Sequence, residues 1–180
     1  MVGEYQHITT LDLNFHLLRG NLPDSLNNLT YLNNLLLGVN WLNGTIPSSL
    51  GSLCNLTILD LGTNFLDGTI PNSLYNITSL EILDFSNNRL TGTVAMDFFS
   101  LNNLVVLLLD FNYFSGTIPS WPSMPFLENL SVEGNKLDGK IPITISNYSY
   151  LKALSLSGCY LSGSLPPELA VLSQLEIFLA

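Results

Sequence analysis

The chain has 180 residues, the size of one domain, and its apolar residues (47%) supply a core amply while charged residues make up only 11%. The longest apolar run, Leu104 to Leu109, is far too short to span a bilayer. Fourteen acids against five bases give a net charge of -9, which argues against a nucleic-acid partner and reads as a means of keeping a Leu-rich chain soluble, or as a surface suited to a basic partner.

Along the chain, the start (Met1 to His7) has no basic segment followed by an apolar one, so no signal peptide is expected there. From residue 8 a pattern takes over: Leu-x-x-Leu-x-Leu-x-x-Asn-x-Leu-x-Gly-x-Ile-Pro, as in Leu56, Leu59, Leu61, Asn64, Leu66, Gly68, Ile70 and Pro71. Its anchor returns as Leu11, Leu35, Leu59, Leu83, Leu107, Leu130, Leu154 and Phe178, in steps of 24 residues with one of 23. Such a period predicts a stacked solenoid of seven coils and the start of an eighth. In each coil a short strand, such as Ile58 to Gly62, turns Leu59 and Leu61 inward and Ile58, Asp60 and Gly62 outward to a concave face. Gly44, Gly68, Gly92, Gly116, Gly139 and Gly163 mark one turn register, with prolines following at most of them. The return stretch is expected to be irregular or 3₁₀, on the convex side. Leu175 to Ala180 ends in mid-strand without a polar cap, so the sequence reads as a piece of a longer array.

One register reads His16, Asn40, Asn64, Asn88, Asn112, Asn135 and Cys159. Inward Asn side chains can donate to carbonyls of neighbouring turns and accept an N–H, forming a ladder; His16 and Cys159 are expected to substitute in it. Two coils depart from the pattern. Ala95 stands where a proline is expected, and the coil ending Pro119 to Pro125 is one residue short, with Trp121 and Met124 predicted in slots that Leu50 and Leu53 fill earlier. Cys54 and Cys159 lie four coils apart, about 20 Å at 4.8 Å per strand, too far for a disulfide.

These residues, above all Leu42-Asn-Gly-Thr-Ile-Pro47 and Leu66-Asp-Gly-Thr-Ile-Pro71, resemble the plant-type leucine-rich repeat over roughly residues 8–180. Residues 1–7 then read as a flexible start or the remnant of an N-terminal cap. Plant-type repeats form the extracellular parts of receptor-like kinases and receptor-like proteins, in signalling or defence, and also polygalacturonase-inhibiting proteins. The resemblance implies a right-handed superhelix with a parallel sheet on the concave face, 3₁₀ or irregular segments on the convex face, and a second short sheet near Gly-x-Ile-Pro. It also implies a protein or peptide ligand, and a co-receptor ectodomain as a further partner. A polygalacturonase-inhibitor-like secreted protein and an intracellular repeat scaffold are the alternative readings. The chain has no kinase motif, and no residue pattern calls for a cofactor, a metal or a catalytic group.

Candidate ligand-binding residues are Trp41, Phe65, Asp84, Arg89, Asp110, Phe111 and Tyr113, expected on the concave face or its lateral edge. Asp12, Asp60 and Asp84 form an acidic column without an enclosing cleft, and Arg89 is expected to pair with Asp84 or Asp110. Asn-x-Ser/Thr occurs at Asn28, Asn43, Asn55, Asn76, Asn129 and Asn147; Asn28, Asn55, Asn76 and Asn147 fall on return segments suited to glycans, and Asn129 falls on the binding face.

Overall fold

The computed structural model describes residues 7–122 and 124–180. Residues 1–6, most of the expected cap remnant, lie outside the described residues. Eight strands form one parallel sheet in chain order: Thr10–Asp12, Asn34–Leu36, Ile58–Asp60, Ile82–Asp84, Val106–Leu108, Asn129–Ser131, Ala153–Ser155 and Ile177–Leu179. The sequence anchors are its Cα partners: Leu11 faces Leu35, Leu59 faces Leu83, Leu107 faces Leu130 and Leu154 faces Phe178. The pairing persists through the 23-residue step, so the missing residue is absorbed outside the sheet.

A second set of strands covers one lateral side. Arg19–Asn21, Trp41–Thr45 and Phe65–Asp67 form one parallel sheet, and Ser115–Thr117, Lys136–Gly139 and Tyr160–Leu161 form another. These sheets pair on a slant of two residues, so that Arg19 lies beside Trp41, Asn43 beside Phe65 and Ser115 beside Lys136. Gly68 leaves the second strand at φ +73°, and a Cβ there would meet Thr45 Cγ2 at 2.9 Å. Both the left-handed backbone and the close stacking therefore require glycine.

Among the described residues the convex side carries six 3₁₀ helices: Asp24–Asn28, Ser48–Ser52, Asn72–Asn76, Met96–Ser100, Ile143–Asn147 and Pro167–Val171. A proline at the cap fixes an extended entry and offers its carbonyl, as when the Leu50 N–H donates to Pro47 at 3.2 Å. Ala95 adopts the same entry, φ -73° and ψ 144°, without the ring. The core is one continuous row of side chains. Leu35, Leu59, Leu83 and Leu107 reach it from the sheet, and Leu50 and Leu74 from the return segments, all fully buried.

Where the repeat departs from its pattern, aromatics take over. Trp121 and Met124 are buried as expected. Trp121 meets Phe98 edge to face at 6.2 Å between centroids, and Phe98 meets Tyr75 in the same way at 5.0 Å. The Trp121 Nε1–H donates to the Ala95 carbonyl at 2.9 Å, and the Tyr148 hydroxyl donates to the Trp121 carbonyl at 3.3 Å. A side chain larger than Leu thus fills the space of the shortened coil, and its one polar atom is satisfied.

Candidate functional site

The Asn ladder sets the shape of the recognition surface, because it holds the turn that follows every concave strand. Asn64 Nδ2 donates to Leu37 O at 3.0 Å in the preceding coil and to Leu61 O and Gly62 O in its own, while its Oδ1 accepts the Leu42 N–H at 3.0 Å. Asn40, Asn88, Asn112 and Asn135 are likewise buried and donate to two carbonyls of their own turn and one of the coil before. The two end members differ. Cys159 Sγ reaches the Val132 carbonyl at 3.3 Å, and burial pushes its thiol pKa up, which keeps the S–H that the contact needs. His16 corrects the expectation of a full substitute: its ring is exposed and only Nδ1 bonds, to the Asn14 carbonyl. The ladder uses its backbone N–H instead, which donates to Asn40 Oδ1 at 3.1 Å.

Just before the ladder lies a register, Phe111 among it, whose left-handed conformation sequence reasoning missed. Phe15, Val39, Thr63, Asn87 and Phe111 all have φ between +51° and +60°, and Gly134 and Gly158 continue the series at +63° and +67°. A left-handed β-branched residue is strained, so Val39 and Thr63 sit there at a cost. The two glycines were the available signal, since they mark the conformation the whole register adopts. Phe111 is half-exposed, and its ring lies over Gly134, where a Cβ would come within 2.6 Å.

The concave wall is acidic. Asp12, Asp60, Asp84, Asp110 and Glu133 all occupy its outward registers, which hold no Lys or Arg. Each of three carboxylates closes its own turn: Asp12 accepts the Asn14 N–H, Asp60 the Gly62 N–H at 2.9 Å and Asp84 the Ser86 N–H at 2.8 Å. Burial, opposed by the Gly62 hydrogen bond and aided by Asp84 and Asp12, raises the pKa of Asp60; burial first and neighbouring acids after it raise that of Asp110. One hollow, of about 700 Å³, is an open dent lined by Asn21, Thr45, Pro47 and Thr69 on the Gly-x-Ile-Pro side.

The predicted ligand set divides between two faces. Asp84, Asp110 and Phe111 belong to the concave wall and its edge. Trp41 and Phe65 instead begin strands of the lateral sheet, and Arg89 and Tyr113 hold the equivalent register. Arg89 does not pair with Asp84 or Asp110: its guanidinium lies 4.9 Å over the Phe65 ring, and among the described residues the one ion pair joins Lys152 to Glu128. Arg19 likewise covers Trp41 at 4.6 Å, and Lys136 covers Tyr113 at 5.0 Å. Arg19 was not among the expected residues; its place beside Trp41 follows from the slanted pairing, which a 24-residue alignment hides. Asn28, Asn55, Asn76 and Asn147 are exposed on the convex side, at or after the 3₁₀ helices, whereas Asn129 lies half-buried in the concave sheet. Both cysteines are free.

Models of the leucine-rich repeat match residues 54–114, 126–148 and 150–172. No curated protein sequence matches significantly. Among solved structures, a plant peptide hormone receptor, RGFR1, in complex with RGF2 is 34% identical with a TM-score of 0.92, the match covering 94% of this chain and 28% of that one. The Arabidopsis receptor kinase HAESA, in complex with the peptide hormone IDA and the co-receptor SERK1, is 31% identical with a TM-score of 0.83, covering 87% and 26%. A plant ice-binding protein is 28% identical with a TM-score of 0.83, covering 96% and 56%. The match therefore spans less than a third of either of these two receptors.

Proposed function

The chain belongs to the leucine-rich-repeat family, in its plant type, and from that premise we propose that it is an extracellular recognition module of a receptor-like kinase or receptor-like protein that binds a basic peptide across its concave face. The observation that carries this reading is the concave wall itself, which presents five carboxylates and no base over its outward registers. Asp60, Asp84 and Asp110 supply the charge, and Phe111 supplies an exposed apolar anchor held by the left-handed turn. Similarity to receptors solved with peptide hormones supports it. A co-receptor ectodomain as second partner, a kinase domain elsewhere in the full protein, and glycans on Asn28, Asn55, Asn76 and Asn147 belong to the same proposal. Recognition, not catalysis, is the role assigned to these residues.

Calorimetry with synthetic peptides tests it. A basic peptide should bind, and Asp84→Asn with Asp110→Asn, or Phe111→Ala, should weaken it about tenfold or more without altering circular dichroism. Unchanged affinity in both variants would remove the concave wall from consideration.

The ice-binding relative motivates a second reading. Thr45, Thr69, Thr93 and Thr117 recur at one exposed register of the lateral side, each with its methyl over the turn glycine of the next coil. It ranks second because the slant of the lateral sheet sets Asp67, not another threonine, beside Thr45, and Lys140 takes the same register in the next coil after Thr117. Thermal hysteresis of the purified chain, lost in Thr69→Val with Thr93→Val, would favour it; its absence would dismiss it.

A further inference from the structure

The lateral face carries a second, chemically opposite surface. Arg19, Trp41, Phe65, Arg89, Tyr113 and Lys136 are all exposed. They form a ridge along the rod in which each of three cations lies over a ring. Arg19 covers Trp41, Trp41 meets Phe65 edge to face at 6.3 Å, Arg89 covers the far side of that pair, and Lys136 covers Tyr113. The ridge holds three of the five basic residues of a chain whose net charge is -9. None of the three forms an ion pair among the described residues, although Asp67 and Asp138 occupy the neighbouring column. Stacking on the rings fixes the cations in place while their charge stays unneutralised.

We propose that this ridge docks an extended acidic peptide segment running along the rod. Three coil spacings of about 4.8 Å place Arg19 and Arg89 roughly 14 Å apart, and two place Arg89 and Lys136 roughly 10 Å apart; in an extended chain rising about 3.3 Å per residue, whose side chains alternate in direction, acids four and then two residues apart face the ridge together, and the long Lys136 stem spans the remaining few ångströms. The stretch between Arg19 and Arg89 is apolar, formed by Trp41 and Phe65, so the intervening ligand residues are apolar too. A polyanionic oligosaccharide fits less well. Sugars stack on ring faces, and a face of Trp41, Phe65 and Tyr113 is already taken by a cation. A uniformly charged chain would also leave the Trp41–Phe65 stretch unmatched. This surface is separate from the concave wall and does not depend on it.

The test uses a fluorescent octapeptide with Glu at its first, fifth and seventh positions and Leu or Ser between, followed by anisotropy at low and high salt. Binding should weaken with salt, and Arg89→Ala and Arg19→Ala should each reduce affinity about tenfold. Arg89→Lys should keep part of it, and Lys152→Ala, off the ridge, should change nothing. Asp84→Asn with Asp110→Asn, which tests the concave reading, should leave this binding intact. Equal binding by the ridge variants overturns the proposal. So does an octapeptide of the same composition with its three Glu adjacent binding as well, or an oligogalacturonate binding where the octapeptide does not.

Discussion

Between Leu35 and Leu83 the core slots hold almost only Leu and Ile, with Tyr75 as the one aromatic; between Val94 and Met124 they hold Phe98, Phe114, Trp121 and Met124 as well. Both regions are equally dry. The first gets there by repetition, each coil reproducing the contacts of the last. The second has lost a proline and a residue, and recovers density with larger side chains and one indole hydrogen bond. The lesson is that the sheet and the Asn ladder fix the coil spacing, and the return segments accommodate whatever volume that spacing leaves.

The sharpest way to break this comparison is Trp121→Ala. It empties the widest core slot and orphans the Ala95 carbonyl, so it should cost about 3–5 kcal/mol in urea denaturation, while Trp121→Phe should cost about half as much. Asn64→Ala, in the regular region, should come next, at about 1–3 kcal/mol, since the buried Leu42 N–H loses its acceptor, while the Leu37, Leu61 and Gly62 carbonyls each keep a second donor, from Asn40, Asn88 and Val39. Were Asn64→Ala the worse of the two, the ladder rather than the filling would limit the junction. Ala95→Pro should go the other way. Ala95 already has a proline's dihedrals, so the change should stabilise the junction by about 0.4–1 kcal/mol, read as a raised midpoint.

The smallest effect concerns pH, and here the two regions should behave alike. Asp60 lies in the regular part and Asp110 in the junction, and burial raises both pKa values. A carboxyl that holds its proton more tightly when folded penalises the fold as pH rises through the raised value, and the penalty vanishes below the ordinary carboxylate range. Asp60→Asn should therefore stabilise the chain at neutral pH and lose that advantage in acid, as seen by denaturation at several pH values. A gain independent of pH would mean that packing against Gly38, not charge, is responsible.

Much of the fold was legible in the residues. The anchors from Leu11 to Phe178 are Cα partners, the five Asn form the ladder, and the turn glycines have positive φ. The site was legible only in part. Asp84, Asp110 and Phe111 lie where alternation places them, but the Arg89 pairing failed because the ring of Phe65 in the preceding coil offers a contact that no pattern within one coil contains.

What the sequence determined by itself is whatever repeats: period, inward and outward registers, turn residues and ladder, because each follows from the geometry of a single coil. What tertiary structure alone decided lies between coils: the two-residue slant of the lateral sheet that sets Arg19 on Trp41, the left-handed register beneath Phe111, and the indole that closes the short coil. Those depend on which side chains stacking brings face to face, and residues 22 or 26 apart meet only once the rod exists.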